Sequence, residues 1–98
     1  MPLFRTKREY FEWIENGQKT IDLRRGKAKQ GDFAVFLCGR KVVRKRIIKR
    51  VEGEVCELVT EKNYSQFVPV ANSRNEVLTR LKMIYGDVEG IFTAYYIN

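Results

Sequence analysis

The order of apolar and polar positions along the chain predicts a helix, three strands, two helices and a last strand. Thr6 and Glu9 have the spacing of a capping box, so we expect the first helix to begin there and to end at Gly17. Strands are predicted at three places: 20–24, 33–38 and 42–51. Because apolar residues of the longest strand come in adjacent pairs, we expect it to bend or to carry a bulge.

The second half of the chain combines helical periodicity with a closing strand. Residues 54–62 favour a short helix, although part of the stretch also fits a strand, and residues 63–72 are irregular. The capping box Ser73–Glu76 opens a helix that Gly86 ends, and residues 90–97 are apolar on both faces, which is typical of a central strand. Strands dominate without an alternating strand–helix repeat, so we predict an α+β fold, a small curved sheet or barrel with short flanking helices.

Length and composition predict one small domain over residues 1–98. An apolar fraction of 44% is enough for a single core in a chain of this size. No segment approaches the ~20 apolar residues of a membrane span, and residues 1–6 contain no extended apolar stretch. We therefore expect a soluble cytoplasmic protein with no membrane partner.

The residue types present restrict the chemistry. The chain contains no histidine, which excludes Ser-His-Asp and Cys-His catalysis and histidine-ligated zinc. Cys38 and Cys56 are expected to be reduced thiols, although a single disulfide is the alternative, and two distant cysteines make a poor metal site. We expect no metal and no cofactor, so any chemistry must come from Lys, Arg, Asp, Glu, Thr, Tyr or backbone groups.

The net charge of +7, from 19 basic and 12 acidic residues, favours a polyanionic partner, nucleic acid first. A charge-rich surface typical of thermophile proteins is the alternative. If the long basic strand is regular, Arg44, Arg46 and Arg50 share a face. With Arg24 and Arg25 they would form a stripe for the phosphate backbone, unless the charges only protect the strand from edge-to-edge pairing.

The run from Gly17 to Arg24, directly after the first helix, concentrates the candidates for chemistry. Lys19 and Asp22 at the start of a strand would bind a phosphate or a polar base, or move a proton. The plainer interpretation is a solvated lysine near a helix C-terminus and a surface pair of Asp22 with Arg24. Among the aromatic residues, Tyr64 is the first candidate to stack on an unpaired base.

This run resembles the signature G-x-K-x-x-E-x-R of the ASCH domains, which belong to the PUA-like superfamily. Gly17, Lys19 and Arg24 match it, and Asp22 stands where the pattern has glutamate. The likeness extends over nearly the whole chain, including Gly31-Asp32 before the next strand, the late helix and the closing strand. It implies a PUA-like β-barrel with a cleft lined by the signature residues, and an association with RNA.

Some small bacterial members of the family resemble amidohydrolases that remove the acetyl group of N4-acetylcytidine with a lysine, a threonine and a glutamate. The resemblance assigns the lysine to Lys19 and the glutamate to Glu76, whereas Asp22 occupies the threonine position. Acyl transfer needs a hydroxyl nucleophile or a water activated by a base. Because the hydroxyl is missing here, binding ranks above hydrolysis. Glu76 is equally well explained as the carboxylate of its own capping box.

The predicted function is therefore that of an RNA- or nucleotide-binding PUA-like (ASCH) domain, with an RNA or a modified nucleoside as partner. Its cleft would be lined by Lys19, Asp22, Arg24 and Glu76, and the basic strand would contact phosphates. The alternative is a small metal-independent hydrolase, an N4-acetylcytidine amidohydrolase or a ribonuclease, with Lys19, Asp22 and Glu76 as its catalytic residues. An interaction protein with a vestigial cleft is the third class.

Overall fold

The computed structural model describes residues 2–98, which form five strands and four helices. In chain order they are β1 (Leu3–Arg5), α1 (Arg8–Glu15), β2 (Ile21–Arg25), β3 (Phe33–Cys38), β4 (Lys41–Gly53), α2 (Val55–Leu58), α3 (Tyr64–Phe67), α4 (Arg74–Tyr85) and β5 (Phe92–Ile97). The sheet order is β1-β3-β4-β5-β2, with β1 parallel to β3 and the other pairs antiparallel. The sheet curls into a half-barrel, so the predicted α+β curved barrel is confirmed.

Two hydrophobic clusters hold the curled sheet and the helices together. One joins β2 and β5 to the helices that follow β4, and includes Leu23 and Val77. The other joins α1 to β1, β3, β4 and β5, and includes Phe11. Along β5 the side chains alternate between the clusters, with Ala94 in the first and Tyr95 in the second. β5 is thus covered on both faces and lies between β4 and β2, which confirms the prediction of an interior strand.

The long strand β4 contains the bulge that its paired apolar residues predict. The register against β5 shifts within 47–49, and Ile48 is left 63% exposed. Because side chains alternate along a strand, one extra residue reverses the faces beyond it. Arg50 therefore lies on the face opposite to Arg44 and Arg46, and the three arginines do not share the face that a regular strand would give them.

The first turn of α1 differs from the prediction. The helix begins after Lys7, which caps it without a side-chain hydrogen bond, so the predicted capping box of Thr6 and Glu9 is wrong. Thr6 Oγ1 donates to the carbonyl of Phe4 instead, at 3.0 Å, and Glu9 pairs with Arg80 at 3.1 Å. The cause is β1, a three-residue strand that carries Thr6 past the edge of the sheet before the helix starts.

The helix predicted over 54–62 is confined to α2, and α3 forms inside a stretch predicted to be irregular. Asn63 accounts for the early end of α2. Its Nδ2 donates to the carbonyl of Leu58 at 2.9 Å and its Oδ1 accepts from the amide of Thr60 at 2.8 Å. A side chain that satisfies these backbone groups replaces the next turn of α2.

Cys38 and Cys56 are both free, as predicted. Within residues 2–98 the structure contains no helix with the length and apolar character needed to cross a membrane.

Candidate functional site

A cleft opens where the two edges of the curled sheet approach each other. It lies between β2 and the segment that joins β1 to α1, and α3 and α4 supply the remaining walls. Its volume is about 130 Å³, roughly ten times the space that one water molecule requires. The lining residues are Arg5, Thr6, Lys7, Tyr10, Lys19, Asp22, Leu23, Arg24, Phe67, Val68, Leu81, Ile84 and Tyr85. The cleft therefore combines apolar and aromatic walls with several cations.

Lys19 lies in the wall of this cleft and is only 7% exposed. Gly17, with a φ of +87°, turns the chain after α1 so that the lysine leads directly into β2. Its Nζ donates to the carbonyl of Ile21 at 2.6 Å and to that of Phe67 at 2.7 Å. Nζ also lies 5.7 Å from the centroid of the Tyr10 ring. Since an ammonium group has three protons, one remains for a ligand.

Burial lowers the pKa of Lys19 from 10.5 to about 8. The cause is the loss of hydration of the charged form, which the nearby Asp22 opposes and the nearby Arg24 reinforces. At pH 7 the ammonium form predominates and about one molecule in ten carries the neutral amine. Lys19 can thus hold an anion as a cation, or accept a proton in its neutral form.

Asp22 and Arg24 form a bidentate ion pair beside Lys19. Arg24 Nε donates to Asp22 Oδ2 at 2.5 Å, and Nη2 lies 3.3 Å from Oδ1. The same guanidinium donates to the carbonyl of Arg5 at 2.8 Å and to Thr6 Oγ1 at 3.1 Å, and it lies over the Phe4 ring. Arg24 therefore neutralises a buried carboxylate and ties β2 to the end of β1, which closes the half-barrel on this side.

Glu76 lies at the start of α4 and holds its first turn. Its Oε2 accepts from the amide of Asn72 at 2.6 Å, and its own amide donates to Ser73 Oγ at 3.2 Å. Among the residues that the structure describes, Glu76 is not part of the cleft lining. Only the Ser73 half of the predicted capping box is thus formed, because the Glu76 carboxylate binds the amide of Asn72 instead of that of Ser73. The structure does not bring Glu76 into the cleft with Lys19.

Arg25 and Arg50, both predicted to contact ligand, donate to backbone carbonyls. The Arg25 guanidinium donates to three carbonyls within 85–89, where the chain leaves α4, and lies 4.8 Å from the centroid of the Phe92 ring. Arg50 donates to two carbonyls of the loop 26–32 between β2 and β3. Both guanidinium groups hold loops against the sheet.

Arg44, Arg46 and Tyr64, the remaining predicted binding residues, also lie outside the cleft. Arg44 and Arg46 are exposed, and their guanidinium groups lie 4.5 and 5.1 Å from the centroid of the Phe33 ring. Tyr64 is half-buried, packs against the core and places its hydroxyl 3.4 Å from the carbonyl of Asn72. The structure therefore brings Lys19, Asp22 and Arg24 together and separates them from the other predicted residues.

Five polar cleft residues were not identified as site residues from the sequence: Arg5, Thr6, Lys7, Tyr10 and Tyr85. Thr6 reaches the cleft only because β1 exists, and Tyr10 carries the helical spacing of a core residue. Tyr85 donates to the carbonyl of Leu23 at 2.6 Å, and burial raises the pKa of its hydroxyl. The sequence feature that could have identified Tyr85 is its position directly before Gly86, at the end of the late helix that resembles the ASCH domains.

Comparisons with known proteins bear on the fold. No family model and no curated protein matches the chain. Among solved structures, the hypothetical protein PH0355 has a TM-score of 0.79 at 14% identity, covering 98% of this chain and 95% of that one. ASCH from Zymomonas mobilis has a TM-score of 0.69 at 17% identity, covering 98% of this chain and 65% of that one. At such identities the likeness concerns the fold alone, and this chain has an ASCH-like fold.

Proposed function

We propose that this domain binds RNA through the cleft, where Lys19 holds the anionic group of one nucleotide. The observation that carries the proposal is the buried ammonium group with two protons on backbone carbonyls and a third left for a ligand. Burying a cation is unfavourable, and strongly perturbed lysines in clefts are typical of functional sites. The ASCH-like fold and the family's association with RNA support the same interpretation.

The charges around the cleft favour an anionic ligand. Asp22 and Arg24 neutralise each other, which leaves the positive charges of Lys19, Arg5 and Lys7 without a counter-charge among the residues that line the cleft. Arg5, the last residue of β1, and Lys7, in the segment between β1 and α1, are both exposed. A phosphate group therefore gains from this potential, whereas an uncharged nucleoside does not.

The walls of the cleft suit the base of the same nucleotide. Tyr10 and Tyr85 are half-buried aromatic residues that line it from α1 and α4. Aromatic side chains stack on unpaired bases regardless of base identity. The cleft thus offers an aromatic surface for a base beside cations for its phosphate.

Titration with cytidine monophosphate and cytidine tests this proposal. We expect the monophosphate to bind more tightly, and Lys19→Met to weaken its binding by about tenfold or more, because a charge-assisted hydrogen bond is lost. Wild-type affinity for the monophosphate is expected to fall as the pH rises from 7 to 9, since Lys19 loses its proton near pH 8. Phosphate is already ionised over this range, and calorimetry gives the affinities.

Lys62→Met, at an exposed position, is the matched control and should bind like the wild type. Equal affinity for nucleoside and monophosphate together with pH-independent binding would contradict the role of Lys19. The pH dependence is measured on the wild type, so this conclusion does not depend on the stability of the Lys19 variant.

Hydrolysis of an acylated nucleoside is the second candidate, and the neutral fraction of Lys19 favours it. In this reaction neutral Lys19 takes a proton from water as the water oxygen bonds to the acetyl carbon. The bond from that carbon to N4 then breaks, and N4 receives the proton, giving cytidine and acetate. We expect cytidine release from N4-acetylcytidine to require Lys19, measured by chromatography with wild type and Lys19→Met. No release by the wild type would eliminate this candidate.

A further inference from the structure

The outer face of β1, β3 and β4 carries cations on an apolar base. The register of these strands puts eight side chains on this face, which we call the outer strip: Leu3, Arg5, Phe33, Val35, Leu37, Val42, Arg44 and Arg46. The alternate residues Ala34, Phe36 and Ile47 belong to the core on the other face. None of the outer strip residues belongs to either hydrophobic cluster, whereas Val51, on the same face beyond the bulge, packs against the first one.

The arginines of the outer strip differ from Arg25 and Arg50 in how their guanidinium groups are used. Those of Arg25 and Arg50 donate to backbone carbonyls. Within the described residues, by contrast, those of Arg5, Arg44 and Arg46 take part in no hydrogen bond or ion pair. The strands β1 and β3 and residues 41–51 also contain no acidic residue. Such a group of unpaired cations attracts a polyanion.

Phe33 gives two of these cations a fixed arrangement. Arg44 and Arg46, roughly 7 Å apart along the strand, both lie over its ring. A guanidinium stacked on an aromatic ring keeps its N–H edge free for a phosphate and its outer face free for a base. This pattern suits a phosphodiester chain, whereas a second copy of the domain, with its net charge of +7, would be repelled.

The outer strip is continuous with the cleft because Arg5 belongs to both. We propose that the outer strip binds the backbone of a single-stranded RNA, one nucleotide of which occupies the cleft. This inference rests on the proposed function of the cleft and adds to it that the partner is a polymer rather than a free nucleotide.

Binding of a single-stranded RNA of about ten nucleotides, compared with cytidine monophosphate, tests the proposal. The double variant R44Q/R46Q is expected to lose about tenfold or more in RNA affinity at low salt. Its slope of log affinity against log salt should be shallower by about 1.4, which corresponds to two lost phosphate contacts. Affinity for the monophosphate should stay unchanged, because neither arginine lines the cleft among the described residues.

K62Q/K82Q removes the same charge from two other exposed positions and should leave RNA binding close to the wild type. Equal losses in both double variants would show an effect of net charge alone and overturn the proposal. If R44Q/R46Q keeps the wild-type affinity for RNA and for the monophosphate, the proposed RNA contact of the outer strip is wrong. The proposed function of the cleft is not affected by that result. Absence of binding to both RNA and monophosphate would overturn the two proposals together. Preference for vesicles of anionic lipid over RNA, lost in R44Q/R46Q, would assign the strip to a membrane surface instead.

Discussion

Arg24→Ala is expected to lower the free energy of unfolding by about 3–5 kcal/mol. Its partner Asp22 is nearly fully buried, and the substitution leaves that carboxylate without its two hydrogen bonds. The bonds from Arg24 to the segment after β1 are lost as well, so the two edges of the sheet separate more easily. Urea denaturation of wild type and variant measures the change.

Two comparisons show whether the buried pair causes this loss. D22N/R24A removes the unpaired charge, so we expect it to be more stable than Arg24→Ala alone. Arg80→Ala removes an arginine from a surface pair, with Glu9 60% exposed, and should cost no more than about 1 kcal/mol. If Arg24→Ala and Arg80→Ala have equal effects, Arg24 does not close the half-barrel.

Raising the pH from 8 towards 10.5 is expected to stabilise the wild type relative to Lys19→Met by roughly 3 kcal/mol. In the unfolded chain Lys19 titrates at its ordinary pKa of 10.5, whereas in the fold its pKa is about 8. Between these values the unfolded state binds more protons, so the free energy of unfolding rises with pH. Below pH 8 the cost of burying the ammonium is present in full, and above 10.5 it is absent.

Chemical denaturation at closely spaced pH values gives this difference. Titratable groups other than Lys19 are present in both proteins and cancel in the comparison. Lys62→Met should follow the wild-type curve, since Lys62 is exposed. Parallel curves for wild type and Lys19→Met would show that Lys19 keeps an ordinary pKa, and would remove the main support for its functional role.

The sequence predicted those helices and strands whose signals come from residues close together in the chain. The helix α4 follows from Ser73, which accepts from the amide of Glu76, and from Gly86, whose φ is +84°. The strand β1 gave no such signal, because three residues show no alternation and the strand forms only by pairing with β3. Because β1 positions Thr6 next to Arg24, the wall of the cleft formed by the segment between β1 and α1 could not be predicted either.

Single residues limited the prediction of the site in the same way. The bulge in β4 was expected, but its position at Ile48 decides the face of Arg50, and apolar pairs do not fix that position. Lys19 was predicted at the start of a strand, yet its burial depends on the carbonyl of Phe67, which is 48 residues away. Glu76 had two interpretations, a catalytic role in the cleft and a local role at the N-terminus of α4. Only the local role is seen in the structure.

The most direct test of ligand binding in the cleft is an amide NMR titration of the wild type with cytidine monophosphate. Binding there predicts saturable shifts at Lys19, Tyr10 and Tyr85, which line the cleft from three separate segments of the chain. The amides of α2, which supplies no cleft residue among those described, should stay unchanged. Absence of saturable shifts, or shifts confined to residues outside the cleft, would contradict the proposed function.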